Sequence, residues 1–174
     1  MKTKLTITIL ISFLIMSCEK NNDINEVEIG KGFEIYLTVA PYSHNLYMDY
    51  STVDFDTILL LDTPVLRYND LKKYNIITHK LTLGISHDSL NIGDAGVYGR
   101  MFVVTIDKNP IYCGFKWPVV SSIPCNWVFI EEPYEDLDNL RDNEIVIGFM
   151  SEEYTDPRLD IRIVDRLRMD GKIR

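Results

Sequence analysis

The chain has 174 residues, which suits one domain of ordinary size once any leader is removed. Hydrophobic residues make up 46% and charged residues 25%, and this excludes the low-hydrophobicity, high-charge composition of a disordered chain. The net charge of -8 argues against a phosphate backbone as partner, because such a surface needs a clustered excess of Lys and Arg, so no nucleic-acid partner is predicted.

The first element in chain order is a leader. Lys2 and Lys4 give a basic start, and residues 5–16 are apolar or carry small hydroxyls. This apolar stretch is too short for the roughly 20 residues that cross a bilayer as a helix, so it indicates a segment that is cleaved.

The residues around Cys18 resemble the lipobox of bacterial lipoproteins. Ile15 stands where that motif usually has Leu, Met16 is bulkier than the usual residue, and Ser17 is the small residue before the cut. The resemblance implies removal of residues 1–17, diacylglycerol on the Cys18 thiol and usually a further acyl chain on the new amine. Because two or more chains hold a protein firmly on a bilayer, it implies a membrane-anchored protein in the outer membrane or cell envelope of a bacterium. The alternative is an incidental cysteine behind an ordinary signal peptide or anchor helix.

A polar tether follows the lipidation site. Residues 18–30 are rich in Asn and acids, which is typical of a solvated linker, and residues 31–174 are predicted to form a single globular domain. Loss of Lys2 and Lys4 with the leader leaves 16 basic against 26 acidic residues, so the mature charge is -10. Export also places the chain in a compartment that permits disulfides.

The folded part is dominated by alternating patterns. Phe33 to Val39 places apolar residues on one face against Glu34, Tyr36 and Thr38, which predicts a half-buried strand. Residues 57–61 and 80–86 are predicted to be further strands, and residues 68–74 a short helix between them.

The strongest local signal is a β-hairpin over residues 99–117. Met101 to Ile106 is β-branched and aromatic, Asp107 to Pro110 is typical of a turn, and Ile111 to Trp117 alternates again. Aromatic residues and cysteines share one face of the second strand and of the segment that follows the next loop. The candidate binding-surface residues on these elements are Tyr112, Trp117 and Trp127.

Cys113 and Cys125 lie in this aromatic row and are the disulfide candidates, because an exported pair of cysteines can bridge. Two alternatives stay open. The thiols can be free and buried as small hydrophobes, or one can be a catalytic thiol with a lowered pKa. The last needs a nearby partner such as a histidine, and the contexts of His44, His79 and His87 do not indicate one.

Other motifs carry little chemistry. Ser86, His87 and Asp88 are consecutive, but a catalytic triad is assembled through space. The glycines of residues 93–99 have the wrong spacing for a nucleotide loop and indicate a flexible link. The acidic segment 131–144 fails the EF-hand pattern, which leaves a looser calcium site or a solvated connector. No catalytic residue, resident metal or cofactor is predicted.

The chain ends in a predicted helix that begins at Asp156 and Pro157 and ends at Gly171. Its apolar stripe, formed by Leu159, Ile163 and Leu167, is expected to pack on the sheet. Arginines recur every four residues and form a basic row. This row can contact anionic lipid, a partner or the protein's own segment 131–144, or it can be exposed to solvent. The members of this row are Arg158, Arg162 and Arg166.

The run from His79 to Glu131, above all FVVTIDKNPIYCGFKWPVVSSI, resembles the head of the first periplasmic domain of the SecDF protein-export family. Residues 107–109 replace that family's Asp-Gly turn, and Pro118 falls near its proline. The similarity covers about a third of the chain. The membrane helices that power that family are absent from this sequence. The similarity therefore implies an α+β binding head and no transport.

The fold class predicted from these elements is α+β: a small mixed, mainly antiparallel sheet with one or two short helices and a C-terminal helix packed on it. The predicted function is a non-enzymatic, membrane-tethered binding domain that meets a protein or peptide through the aromatic hairpin, the loop of residues 117–124 or an open sheet edge. The alternative is a surface hydrolase or another enzyme without a recognisable motif. A lipoprotein that neutralises a toxin or host factor is a third possibility, which only the acidity supports.

Overall fold

The computed structural model of the chain describes residues 28–118, 121–131 and 141–174. Cys18, the leader and most of the tether lie outside the described residues, as do positions 119–120 and 132–140. Within the described ranges, no helix is both long enough and apolar enough to cross a membrane.

The described residues form a seven-stranded mixed sheet and one α-helix. The sheet order is β1-β4-β5-β6-β7-β3-β2, and each neighbouring pair is antiparallel except β5 and β6, which are parallel. The bounds are β1 Phe33–Leu37, β2 Leu71–Tyr74, β3 Lys80–Leu83, β4 Arg100–Ile106, β5 Asn109–Trp117, β6 Val128–Glu131, β7 Glu144–Phe149 and α1 Ile161–Met169.

The sheet is nearly closed, and chain segments run along both of its edge strands. Beside β1, the Ile35 amide donates to the Leu66 carbonyl at 3.0 Å and the Leu61 amide to the Leu37 carbonyl at 2.9 Å. Beside β2, the Tyr74 amide donates to the Lys172 carbonyl at 2.8 Å. The α+β prediction holds in this coarse form, but the expectation of a small sheet is wrong. The two edge strands also leave little room for a partner strand to add.

Near closure explains why β1 is buried on both faces and not on one. All five of its residues are buried, including Glu34, whose Oε2 accepts hydrogen bonds from the Gly30 amide at 2.9 Å and the Tyr36 hydroxyl at 2.8 Å. Local alternation predicts a strand correctly here. It does not predict that segments distant in sequence cover the polar face as well.

The predicted hairpin is confirmed as β4 and β5. Its two turn residues, Asp107 and Lys108, have φ angles of 49° and 65°, the left-handed values that a tight hairpin turn requires. Asp107 is also tied to the start of the domain, because its Oδ1 accepts from the Gly32 amide at 2.7 Å.

Two predicted elements between β1 and β3 are wrong. Residues 68–74 contain strand β2 and no helix, since a bulge between Leu71 and Lys73 lets two consecutive lysines face solvent between buried Leu71 and Tyr74. The resulting three-residue apolar spacing imitates a helical pattern. The predicted strand at 57–61 is replaced by a 3₁₀ turn at Phe55–Thr57 and a single bridge at Leu60.

The predicted C-terminal helix is present as α1 but begins later than the sequence indicates. Asp156 caps a short 3₁₀ turn at Pro157–Leu159, and Asp160 caps α1 through the Arg162 amide at 2.9 Å. Ile163 and Leu167 are buried against the core, and α1 contacts β1 and β4. Leu159, which was expected in the apolar stripe, is exposed.

Candidate binding surface

The structure buries the three residues that the sequence indicated as a binding surface. Tyr112, Trp117 and Trp127 are 3%, 5% and 1% exposed, and the Trp127 indole donates to the Cys113 carbonyl at 2.8 Å. These three candidate side chains therefore do not form an exposed surface. Alternating aromatic residues predict a buried face equally well, and the nearly closed sheet provides one.

Cys113 and Cys125 are free thiols in the same core. Burial raises the pKa of Cys113 to about 12 and that of Cys125 to about 11. Both are therefore protonated near neutral pH, which makes either a poor nucleophile and disfavours the catalytic-thiol alternative. The structure shows no bridge between the two sulfur atoms, and a disulfide in the exported protein stays a prediction.

His44 is a packing residue beneath the surface. Its Nε2 lies 2.7 Å from the Asn126 amide oxygen, and its ring stacks on Tyr50 and meets Phe115 and Trp117 edge-on. Burial lowers the pKa of His44, so the neutral ring is favoured.

A second buried histidine holds the C-terminal segment to the sheet. His79 Nδ1 lies 2.6 Å from the Tyr74 hydroxyl, and its Nε2 is 3.8 Å from Asp156 Oδ2. Arg158 completes the cluster by donating from Nε and Nη2 to the Asp156 carboxylate at 2.9 and 2.6 Å. Although burial alone raises the pKa of Asp156, its hydrogen bonds from Arg158 bring the net value below the usual range.

The predicted basic row pairs with neighbouring carboxylates. Arg158 pairs with Asp156, Arg162 with Asp160 at 2.8 Å, and Arg166 with both Asp170 at 3.0 Å and Asp107 at 3.3 Å. These partners lie next to the row or on the hairpin turn, and none lies in the part of segment 131–144 that the structure describes.

His87 lies in the cleft that best suits the enzyme alternative. The cleft has a volume of about 420 Å³, and polar side chains contribute to its lining. His87 Nε2 is 2.9 Å from Asp88 Oδ1 and its Nδ1 is 2.8 Å from the Asp142 carbonyl oxygen. Both ring nitrogens therefore face acceptors, and neither is shown in contact with a hydroxyl or thiol of the described residues. Ser86 uses its Oγ to cap the Asp88 amide at 3.4 Å.

Only the ends of the acidic segment 131–144 are described. Glu144 Oε2 accepts from Lys80 Nζ at 3.0 Å and from the Arg141 amide at 3.3 Å, so this carboxylate ties the start of β7 to its neighbour β3. Among the described residues no group of three or more His, Cys, Asp or Glu side chains could hold a metal ion. The core of the calcium prediction, residues 132–140, lies outside the described residues.

Six exposed apolar or aromatic residues lie on two turns that sequence patterns did not indicate. One turn follows β1 and the other precedes β4. They are joined by hydrogen bonds from the His44 amide to the Tyr98 carbonyl at 2.8 Å and from the Met101 amide to the Tyr42 carbonyl at 2.9 Å. We call the six exposed side chains of these turns the tyrosine patch: Tyr42, Leu46, Tyr47, Met48, Val97 and Tyr98.

The tyrosine patch is held from below by the aromatic core. The Tyr50 hydroxyl accepts from the Asn45 amide at 2.6 Å, and the Asn126 side chain donates to the Leu46 carbonyl at 3.2 Å. Asn45 in turn accepts from the Tyr47 amide at 3.0 Å. The backbone is thus fixed while Tyr47 itself is 97% exposed, an arrangement that costs little ordering entropy on binding.

The chain segments that carry the patch are acidic. Residues 32–66 and 81–99, which carry both turns, contain no Lys or Arg. They contain six aspartates that are exposed or partly exposed: Asp49, Asp54, Asp56, Asp62, Asp88 and Asp94. The stretch YSHNLYMDY, residues 42–50, could have indicated the patch, because Tyr, Asn, Ser and Met without a basic residue are typical of recognition loops.

Comparison with known proteins gives no family for this chain: no family model, no curated protein and no solved structure matches it. The lipobox and the similarity to the SecDF head therefore stay predictions from the sequence.

Proposed function

We propose that this protein is an exported, lipid-anchored binding domain without enzymatic activity that holds a polypeptide partner on the tyrosine patch. The observation that carries the proposal is the patch itself, because six exposed apolar or aromatic side chains lie on two turns that backbone hydrogen bonds join. Aromatic residues and Met are enriched in protein interfaces, and clustered exposed apolar groups commonly mark them.

The anchor at Cys18 supplies the location in this proposal. A lipid on a tether of residues 18–30 would keep the acidic domain close to a bilayer and free to turn toward a partner. The binding head that the SecDF similarity implies is compatible with this role.

The anchor is tested by fractionating bacterial cells that express the full chain or its Cys18→Ser variant. We expect the parent chain in the membrane fraction with a lipid mass on Cys18, and the variant outside that fraction. An unmodified Cys18 thiol in the parent chain would remove the anchor from the proposal.

The patch is tested by placing a photo-crosslinking amino acid at Tyr47, at Tyr98 or at Ile77 of the full chain in cells of its own source. Ile77 is the matched control, because it is an exposed apolar residue on the turn between β2 and β3. We expect the same crosslinked protein from Tyr47 and Tyr98, its loss when Leu46 is changed to Asp, and no such product from Ile77. Identical products from all three positions would contradict the proposal.

The enzyme alternative has one specific observation in its favour, the contact of His87 with Asp88 inside a cleft. Its test is a screen of ester, peptide and glycoside hydrolysis by the full chain. Turnover that His87→Ala abolishes would favour this alternative over the binding domain.

A further inference from the structure

We infer that the polypeptide held on the tyrosine patch is a basic segment, rich in Lys or Arg. This inference rests on the proposed function, because it names the chemistry of the partner at the same surface. It is carried by the charge around the patch and by the aromatic side chains within it.

Residues 32–66 and 81–99, which carry the patch, hold acidic and no basic side chains, although the Arg100 and Lys116 side chains reach Gly93 beside Asp94. Asp49 directly follows Met48, and Asp94 lies three residues before Val97. Neither aspartate forms a salt bridge with another of the described residues. The nearest basic residues along the chain are Lys31 and Arg67 on one side and Lys80 and Arg100 on the other. A cationic partner would be drawn to this surface and an anionic partner repelled.

The aromatic residues of the patch suit the same partner. Tyr47 and Tyr98 are exposed at the tips of the two turns, where a ring face can receive an ammonium or guanidinium group. Leu46 and Met48 can cover the aliphatic stem of a Lys or Arg side chain, since such residues bury their stems against apolar groups and keep the charge in water. One surface can thus accommodate both parts of a basic side chain.

The same charges argue against a bilayer as the occupant. A surface that binds anionic lipid headgroups needs a cluster of Lys or Arg beside its apolar residues. Segments 32–66 and 81–99 have none, and Arg100 and Lys116 reach only the Gly93 end of the second segment. We therefore assign the patch to a polypeptide and treat the membrane as an outcome of the test.

The test measures binding of three synthetic peptides to the full lipidated chain in detergent micelles, by fluorescence anisotropy at low and high salt. The peptides share the same apolar residues and carry Lys and Arg, Ser, or Glu at the remaining positions. We expect the basic peptide to bind most tightly and to lose affinity as salt rises.

Variants separate the charge from the patch. Asp49→Asn together with Asp94→Asn removes two charges and keeps the side-chain oxygens that accept from the Ser51 and Gly96 amides. This double variant should bind the basic peptide about fivefold more weakly, and its affinity for the Ser peptide should equal that of the parent chain. Asp165→Asn on α1 is the matched control and should change neither the affinity for the basic peptide nor that for the Ser peptide. The double variant Tyr47→Ala and Tyr98→Ala should have a lower affinity for every peptide that the parent chain binds.

The possible failures are distinguishable. Equal binding of the basic, Ser and Glu peptides, each weakened by the tyrosine variants, would overturn the basic partner and leave the proposed function standing. If none of the three peptides binds, or if the tyrosine variants do not change binding, both the basic partner and the proposed function would be overturned. Binding of the chain without its lipid, the Cys18→Ser variant, to anionic vesicles through Tyr47 and Tyr98 would instead assign the patch to the membrane.

Discussion

The Phe102 ring of β4 lies directly over Gly114, its cross-strand partner on β5, and a Cβ added at Gly114 would overlap the ring. The same relationship recurs between Phe129 of β6 and Gly148 of β7. Each glycine leaves room for an aromatic ring to lie flat on the neighbouring strand, which is how the core is filled at these two places.

Gly114→Ala is therefore expected to destabilise the domain by about 1–3 kcal/mol through overpacking. Urea unfolding followed by tryptophan fluorescence measures the change. Gly84→Ala is the control, because its added Cβ would meet only the flexible end of Lys72. Equal effects of the two substitutions would argue against the ring-over-glycine packing.

The hairpin turn predicts a stabilising substitution. Lys108 has a φ of 65°, which costs a residue with a Cβ about 1 kcal/mol relative to glycine. Lys108→Gly should raise the free energy of unfolding by up to about that amount, and Lys108→Ala should bring no gain. A loss of stability in the Gly variant would show that the Lys108 side chain contributes more through its packing over Gly30 than its backbone strain costs.

The buried thiols predict slow chemical labelling. Because burial raises the pKa values of Cys113 and Cys125 to about 12 and about 11, an alkylating reagent should label them on the order of a hundredfold more slowly in the folded chain than in the unfolded chain. Mass spectrometry counts the labels. Rapid labelling of the folded chain would contradict the buried placement, and resistance after unfolding without reductant would show the predicted disulfide.

His79 predicts a pH dependence of stability. Burial, reinforced by the nearby Arg158 charge and opposed by Asp156, lowers the pKa of His79 below its unfolded value of about 6.5. The unfolded chain therefore binds the proton first, and the stability that neutral His79 contributes is present above about pH 6.5 and is lost as pH falls below it. One proton limits this slope to about 1.4 kcal/mol per pH unit.

Urea unfolding at several pH values checks the expectation, with His79→Gln as the variant, because an amide can still meet the Tyr74 hydroxyl. The variant should show a shallower decline between pH 6.5 and the acidic range than the parent chain. An unchanged slope would assign the decline to another group, of which buried His44 is the first to examine.

The sequence predicts well those elements whose structure depends on neighbouring residues. The hairpin follows from an alternating pattern on both sides of a short turn, and the start of the C-terminal structure follows from Asp156 and Pro157. Strand β2 was missed because a bulge at Lys73 changes the spacing of its buried residues, and a bulge leaves no signal in a two-residue period.

The candidate site depends on contacts between distant parts of the chain, and this is why sequence patterns misplaced it. Alternation places Tyr112 and Trp117 on defined faces but does not reveal that both faces are covered. The tyrosine patch forms only because the Tyr98 and Tyr42 carbonyls each receive a hydrogen bond from a residue far along the chain. Which tyrosines are exposed is therefore a tertiary property.

Hydrogen exchange of the full lipidated chain, with and without the basic peptide, tests the central claim most directly. If the tyrosine patch holds the partner, backbone amides of residues 42–48 and 97–98 will exchange more slowly when the peptide is present, while those of the control turn at residues 75–78 will not change. Slowed exchange confined to residues 87–93 of the His87 cleft, or no change at the patch under saturating peptide, would contradict the account.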